Sequence, residues 1–359
     1  MNRKSKICFL LLVCGVIMAI IPFPLHSGPL DPYIEGAKKE GSLTLGLTLR
    51  EKIDGKPAGV LYIDAFNKRY PFLKVIFKRI GAARERERIM SEMTAGISEY
   101  DVATLSDTMI NAVVEANLHR AFDWETLGVP KFLVYPGNVG VFQRTMVYGI
   151  AYNRKLVPDE VARTFTWETC TDPEWKGKSA LYVRPRYLEQ FYMEDVWGRD
   201  KTLDYAKRWI ANKPSVESSR STAASKLAAG AFHIFCGVAR TNVKRLQEFG
   251  ESKTIGVVYP EPVPVGNTDL IYVPSLTRHP NAAVLFMVWT GTKEAQNILD
   301  QIDFTGHPDF AGNEMSQVLK GKKIAYAPLK GSEKADVILA EILRAMGLPV
   351  VRSKKWNTS

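Results

Sequence analysis

The chain has 359 residues, 46% of them hydrophobic and 24% charged, with a formal net charge of +10 and no low-complexity segment. This is an ordinary globular composition, and the length exceeds one comfortable hydrophobic core, which predicts two lobes. Basic residues are spread among acids with no aromatic-interleaved basic stripe, so nucleic acid is excluded as the partner, while a subset of arginines lining a cleft for an anion is compatible with the balance.

Met1 to Lys6 carries Arg3, Lys4 and Lys6, Ile7 to Ile21 is apolar and uncharged, and Pro22, Pro24 and small polar residues follow. This is the pattern of an export signal, with cleavage expected near Ser27. The apolar run of about fifteen residues falls short of the roughly 20 that span a bilayer, which disfavours a retained anchor. Losing residues 1–27 removes three basic residues and no acidic one, so the mature charge is +7.

Leu30 to Lys39 reads as a helix stopped near Gly41, and Ser42 to Leu47 alternates as a half-buried strand. A helix over Tyr62–Tyr70 is ended by Pro71, followed by a strand at Leu73–Phe77, a charged helix at Arg84–Ala95 and a strand at Asp101–Leu105. This alternation predicts a mostly parallel sheet flanked by helices. A second α/β set follows: strands Val147–Tyr152, Ser179–Val183, His233–Gly237 and Ile255–Tyr259, with helices Leu188–Trp197, Leu203–Asn212, Thr222–Ala229 and Asn242–Glu248. Pro260, Pro262 and Pro264 then interrupt regular structure and suggest a crossover. Cys8 and Cys14 fall in the leader; Cys170 and Cys236 remain, and both one disulfide and two buried thiols are open to them.

Three separated motifs carry a resemblance. Tyr148 to Asn153 leads to Trp167 and then to Asp172-Pro173-Glu174-Trp175-Lys176-Gly177-Lys178; Tyr100 to Asp107 precedes it, and His279 to Phe286 follows. In this order they resemble the extracellular solute-binding proteins of ABC importers, in the branch containing ferric-ion, thiamine and phosphonate binders. The resemblance implies an α/β fold of two doubly wound lobes joined by a two-strand hinge, the type II periplasmic binding fold. It implies crossovers near Val141–Met146 and Tyr259–Val265, with lobe one formed by residues 28–143 plus 260–300 and lobe two by 144–259 plus 301–359. The implied protein is a periplasmic monomer without cofactor that holds a small-molecule solute between its lobes and delivers it to an inner-membrane ABC permease.

Ligands of doubly wound sheets sit outside the carboxyl ends of strands, where helix N-termini present unpaired N–H groups. That rule selects Thr48 and Arg50 after the first strand, Gly81 and Arg84 after the second, and Ser106 and Asp107 after the third. In the second set it selects Arg184, Arg186 and Tyr187, then Ser218, Ser219, Arg220 and Ser221. Tyr148, Gly237 and Arg240 complete the candidate ligand set. The serines equally suit helix capping, and Arg84, Arg86 and Arg88 alternate with Glu85 and Glu87 as an exposed face does.

Ferric binders of this branch carry adjacent tyrosines where this chain reads Val238-Ala239-Arg240-Thr241-Asn242, and no Tyr-Tyr pair occurs in it. Arg184, Arg186, Arg220 and Arg240 favour an organic or phosphorus-containing anion, with a ferric or other metal ion as the alternative within the family. His119, His233, His279 and His307 lack metal-ligand spacing. No nucleophile elbow, zinc-protease helix, P-loop or dinucleotide fingerprint is present, so the chain is not read as an enzyme. An exported enzyme and a ligand-sensing subunit are the alternatives from other classes.

Overall fold

The computed structural model describes residues 28–350 apart from 51–57, 82, 106–108, 249, 251–252 and 328–332. The leader, Ser106 and Asp107 therefore lie outside the described residues. Among those described, ten strands are present: β1 (Ser42–Leu47), β2 (Lys74–Arg79), β3 (Val102–Leu105), β4 (Val141–Asn153), β5 (Ser179–Tyr182), β6 (Ser215–Glu217), β7 (Ile234–Ala239), β8 (Ile255–Val258), β9 (Val263–Tyr272) and β10 (Ile324–Tyr326). They run in the order β2-β1-β3-β9-β4-β7-β5-β6, with β8 added to β4 and β10 to β9.

The sheet is mixed rather than mostly parallel. β1 pairs with β2 and β3, and β5 with β6 and β7, in parallel, as crossover helices require. β4 runs antiparallel to β7, β8 and β9, and β9 runs antiparallel to β3 and β4 but parallel to β10. Of the two segments expected as extended crossovers, Val141–Met146 lies wholly in a ladder strand and Tyr259–Val265 enters one at Val263. Val141–Val147 pairs with Val265–Ile271, and the same strand continues to Asn153 by pairing with β7 and β8. Pro264 lies inside β9, at its second residue, where β10 is paired but the partnership with β4 has ended. A missing N–H is tolerated at such a strand start.

Two hydrophobic cores flank this shared strand. The first buries the alternating Leu43, Leu45 and Leu47 of β1 against Tyr62, Phe66, Phe286 and Trp289. Helix Pro280–Thr290 is buried at every position from Ala282 to Thr290, which explains its unbroken apolar run. Removing Phe66 and Phe286 from water contributes about 1.5–3 kcal/mol each. The second core gathers Tyr148, Trp167, Tyr187, Phe191, Tyr205 and Trp209 on one face of β4, β7 and β5, and Ala180, Leu227 and Phe235 on the other. Helix Glu333–Ala345 adds Ile338 and Ile342 to it. Cys170 and Cys236 are joined as a disulfide inside this core.

The helix expected over Leu188–Trp197 covers only Tyr187–Phe191. Trp197 turns back so that its ring lies 4.0 Å from that of Phe191 and its N–H donates to the Phe191 carbonyl, and Gly198 takes φ +77°. Aromatic packing has overridden helical periodicity there.

Candidate functional site

The three motifs prove to be structural joints. The Asp101 carboxylate accepts hydrogen bonds from Thr44 N, Thr277 Oγ1 and the Arg278 and His279 amides, and lies 2.9 Å from His279 Nδ1. The motif at Tyr100 and the motif at His279 thus hold each other, fixing β1, β3 and the start of helix Pro280–Thr290. Asn153 ends β4 by donating to the Leu227 and Ala228 carbonyls at the end of helix Arg220–Ala228. Trp167 Nε1 donates to the carbonyls of Pro260 and Pro262, tying the second core to the chain entering β9.

A cavity of about 700 Å³ is lined by elements of both cores. Thr48 and Arg50 follow β1 and Arg79 ends β2, forming one wall. Arg144 and Met146 of β4 and Asp303, at the end of helix Lys293–Asp303, form the floor. Opposite stand Tyr182 at the end of β5, Arg220 and Ser221 opening helix Arg220–Ala228, and Thr241, Asn242 and Arg245 of helix Arg240–Glu248. Thr241 and Arg245 are four residues apart and share a helix face. The parallel strands β1, β2 and β5 all point their carboxyl ends here, which is where a doubly wound sheet leaves a crevice.

Much of the positive charge is already matched. Arg144 is buried, 2.5 Å from Asp269, and also bonded to Asp303. Burial works against its charge, but those two carboxylates hold its proton above the ordinary arginine value. Asp303 also takes Arg245, and Arg50 pairs with Glu248 at 2.5 Å. Arg79 Nε donates to the Leu49 carbonyl. Arg220 differs in that no carboxylate pairs with it among the described residues; its guanidinium lies 4.0 Å from the centre of the Tyr182 ring, and its Nε, like that of Arg245, has no hydrogen-bond partner. Asn242 donates to Ser221 Oγ at 3.4 Å beside it.

Of the residues selected from sequence, Thr48, Arg50, Arg220 and Ser221 line this cavity. Thr48 Oγ1 is engaged with the Ile80 carbonyl. Tyr148 and Tyr187 are instead packed into the second core, where Tyr187 stacks on Trp167 at 5.0 Å and burial drives its phenol pKa well above normal. Gly237 is a bulge residue: β4 pairs Gly149 with Val238 and Ile150 with Cys236, skipping it. Its φ of +68° and the Tyr187 ring, 2.0 Å from where a Cβ would stand, demand glycine.

Arg186 is turned to buried Glu189, 3.5 Å away, and Arg184 is half-buried outside the cavity lining. Ser219 caps helix Arg220–Ala228 by accepting from Thr222 N, and Ser218 is exposed. Gly81 N donates to Glu85. Arg240 is 1% exposed and bonds Asp300 and Glu314 at 2.5 and 2.6 Å, away from the cavity. A buried arginine is accommodated there because both carboxylates converge on its fork.

Arg79, Arg144, Tyr182, Thr241, Asn242 and Arg245 are not among the residues selected from sequence. Ending the second strand at Phe77 hid Arg79, since the strand runs two residues further. Tyr182 is the last residue of β5, and the selection began two residues later. The spacing of Thr241 and Arg245 was the available signal for the helix face.

Among the described residues, no group of three or more His, Cys, Asp or Glu side chains is arranged to hold a metal ion, and no helix is long and apolar enough to cross a membrane. The family model of the bacterial extracellular solute-binding proteins matches residues 62–308. No curated protein sequence matches the chain. Among solved structures, Trichodesmium FutA (IdiA), described in complex with iron and citrate, aligns with a TM-score of 0.66 at 20% identity over 86% of this chain and 100% of its own. The Bordetella ferric binding protein gives 0.65 at 18% identity, over 86% and 99%. The substrate-binding protein of an Agrobacterium tumefaciens ABC transporter gives 0.58 at 17%, over 86% and 96%. These likenesses are to the type II periplasmic binding fold.

Proposed function

The chain belongs to the bacterial extracellular solute-binding proteins, and on that premise we propose that it is the exported, monomeric substrate-binding component of an ABC importer, with a small anionic solute as cargo. The observation that carries this reading is the cavity of about 700 Å³ lined by arginines from both cores, large enough for a small organic molecule. Lobe one comprises residues 28–143 plus 260–300 and lobe two 144–259 plus 301–359, with β4 and β9 as the connection. A solute touching both walls favours the closed arrangement, because only there are both sets of contacts made. The cargo is bound and released unchanged, and the permease reads the closed form.

The solute contacts are Thr48, Arg50, Arg220 and Ser221 from the sequence-selected set, joined by Arg79, Thr241 and Asn242. Ferric ion is the second reading, favoured by the two ferric-binding relatives above. Among the described residues Tyr182 is the one tyrosine lining the cavity, and the guanidinium groups around it repel a bare trivalent cation. Native mass spectrometry of the purified mature chain, followed by denaturation and identification of the released molecule, tests both. An organic or phosphorus-containing anion is expected; a released ferric ion without an anion overturns the first reading.

A further inference from the structure

Charge pairing inside the cavity narrows the cargo further, and this step rests on the anionic-solute reading above. Five arginines line the cavity, and at least three are neutralised by the protein itself. Arg50 has Glu248, Arg245 shares Asp303 with Arg144, and Arg144 has Asp269 in addition. Asp303 is 1% exposed in its side chain, so solvent does not weaken its hold on the two guanidiniums. Arg79 is exposed at the opposite wall with Nε tied to the Leu49 carbonyl, and a charge facing water contributes little.

Arg220 is different in kind. It is half-buried, its guanidinium lies 4.0 Å from the centre of the Tyr182 ring with no carboxylate paired to it among the described residues, and its buried Nε has no acceptor. A buried donor left unmatched costs free energy that an incoming acceptor recovers. The neighbouring side chains, Ser221, Thr241 and Asn242, are neutral hydrogen-bonding groups, and Met146, Leu49 and Ala239 are apolar.

We infer that the cavity selects a solute with a single acidic group, gripped by the Arg220 guanidinium, and an uncharged body. Asp303 is the specificity-setting residue that keeps polyanions out, by occupying the two guanidiniums a second acidic group would need. A dianion entering the site either leaves one charge without a counter-ion or competes with a carboxylate that is already in place.

The test uses calorimetry and thermal shift on the mature chain with matched panels. One holds short monocarboxylates and monoanionic phosphonate monoesters; the other holds the corresponding dicarboxylates and phosphate monoesters. Tightest binding is expected within the monoanion panel, and the two halves of each panel distinguish a carboxylate from a phosphorus-containing cargo. Arg220→Met, which keeps the stem over Tyr182, is expected to weaken the best monoanion about 10- to 100-fold. Asp303→Asn is expected to shift preference toward the dianions.

Tighter binding of dianions by the unaltered chain overturns the inference, as does an Arg220→Met variant that binds at full affinity. If Asp303→Asn does not fold, the panel ranking and the Arg220 variant still decide. Binding of neither panel rejects the anionic cargo itself, which separates failure of the premise from failure of the charge rule.

Discussion

Arg220 and Arg240 stand twenty residues apart, each opens a helix, and their surroundings make them opposites. Arg240 is enclosed at the junction of β7 with its helix, bonded to Asp300 and Glu314, and held above its ordinary pKa by those carboxylates although burial opposes its charge. Arg220 faces the cavity without a carboxylate. The first is a joint between elements of the two cores; the second has binding capacity left over. Residue type and helix position are shared, so the difference lies wholly in which acids the fold brings near.

The sharpest way to break this contrast is to remove the joint. Arg240→Met leaves Asp300 buried and unpaired, and a loss of about 3–5 kcal/mol in urea unfolding is expected. Arg240→Met combined with Asp300→Leu should recover much of it; no recovery would mean that the pair is not what the variant broke. Next in size, Cys170→Ser with Cys236→Ser opens a loop spanning a sequence separation of 66 and should cost about 2–4 kcal/mol. Unfolding followed by Trp fluorescence should report the loss in the second core, which holds the bridge.

His307 supplies an intermediate case, a buried group with one unmatched nitrogen outside the cavity. Burial lowers its pKa from 6.5 to about 4, with Asp309 opposing the shift. The native form therefore keeps the ring neutral while the unfolded chain takes up a proton. Its contribution is complete above pH 6.5 and is lost as pH falls toward 4, by up to roughly 3 kcal/mol. A His307→Gln variant should show a flatter stability profile across that window, and an identical profile would assign the acid sensitivity elsewhere. The smallest effect should be that of Arg220→Met on folding, within about 0.5 kcal/mol. A large loss of melting temperature there would make Arg220 another joint and erase the contrast.

The parallel halves of the fold were legible because β1 alternates, Pro71 and Gly41 punctuate, and both cores draw on periodic apolar residues. The antiparallel crossing was not. Val141–Met146 and the proline-rich entry to β9 lack the local signature of strands, and their ladder joins residues more than a hundred positions apart. At the site, Thr48, Arg50 and Arg220 could be found because they follow strands or open a helix whose boundaries sequence marks well. Tyr148, Tyr187 and Arg240 sit at equally suggestive positions, but which way a side chain faces depends on sheet register. The bulge at Gly237, which sets that register around β7, has only a glycine to announce it.

The long strand β4 also has a consequence in time. Its first half is completed by β9, and the first core needs Leu270–Ile302 as well as Ala37–Phe142. The central strands of the second core, between Tyr148 and Val258, are by contrast contiguous in sequence. As the chain is delivered from its N-terminus, the earlier-made half must wait with its apolar surface open until the later half has passed, and long-range closure of this kind is slow. A chain halted just before Leu270 would hold the central strands of the second core and an unfinished first one, the form in which this protein is most exposed to aggregation and proteolysis.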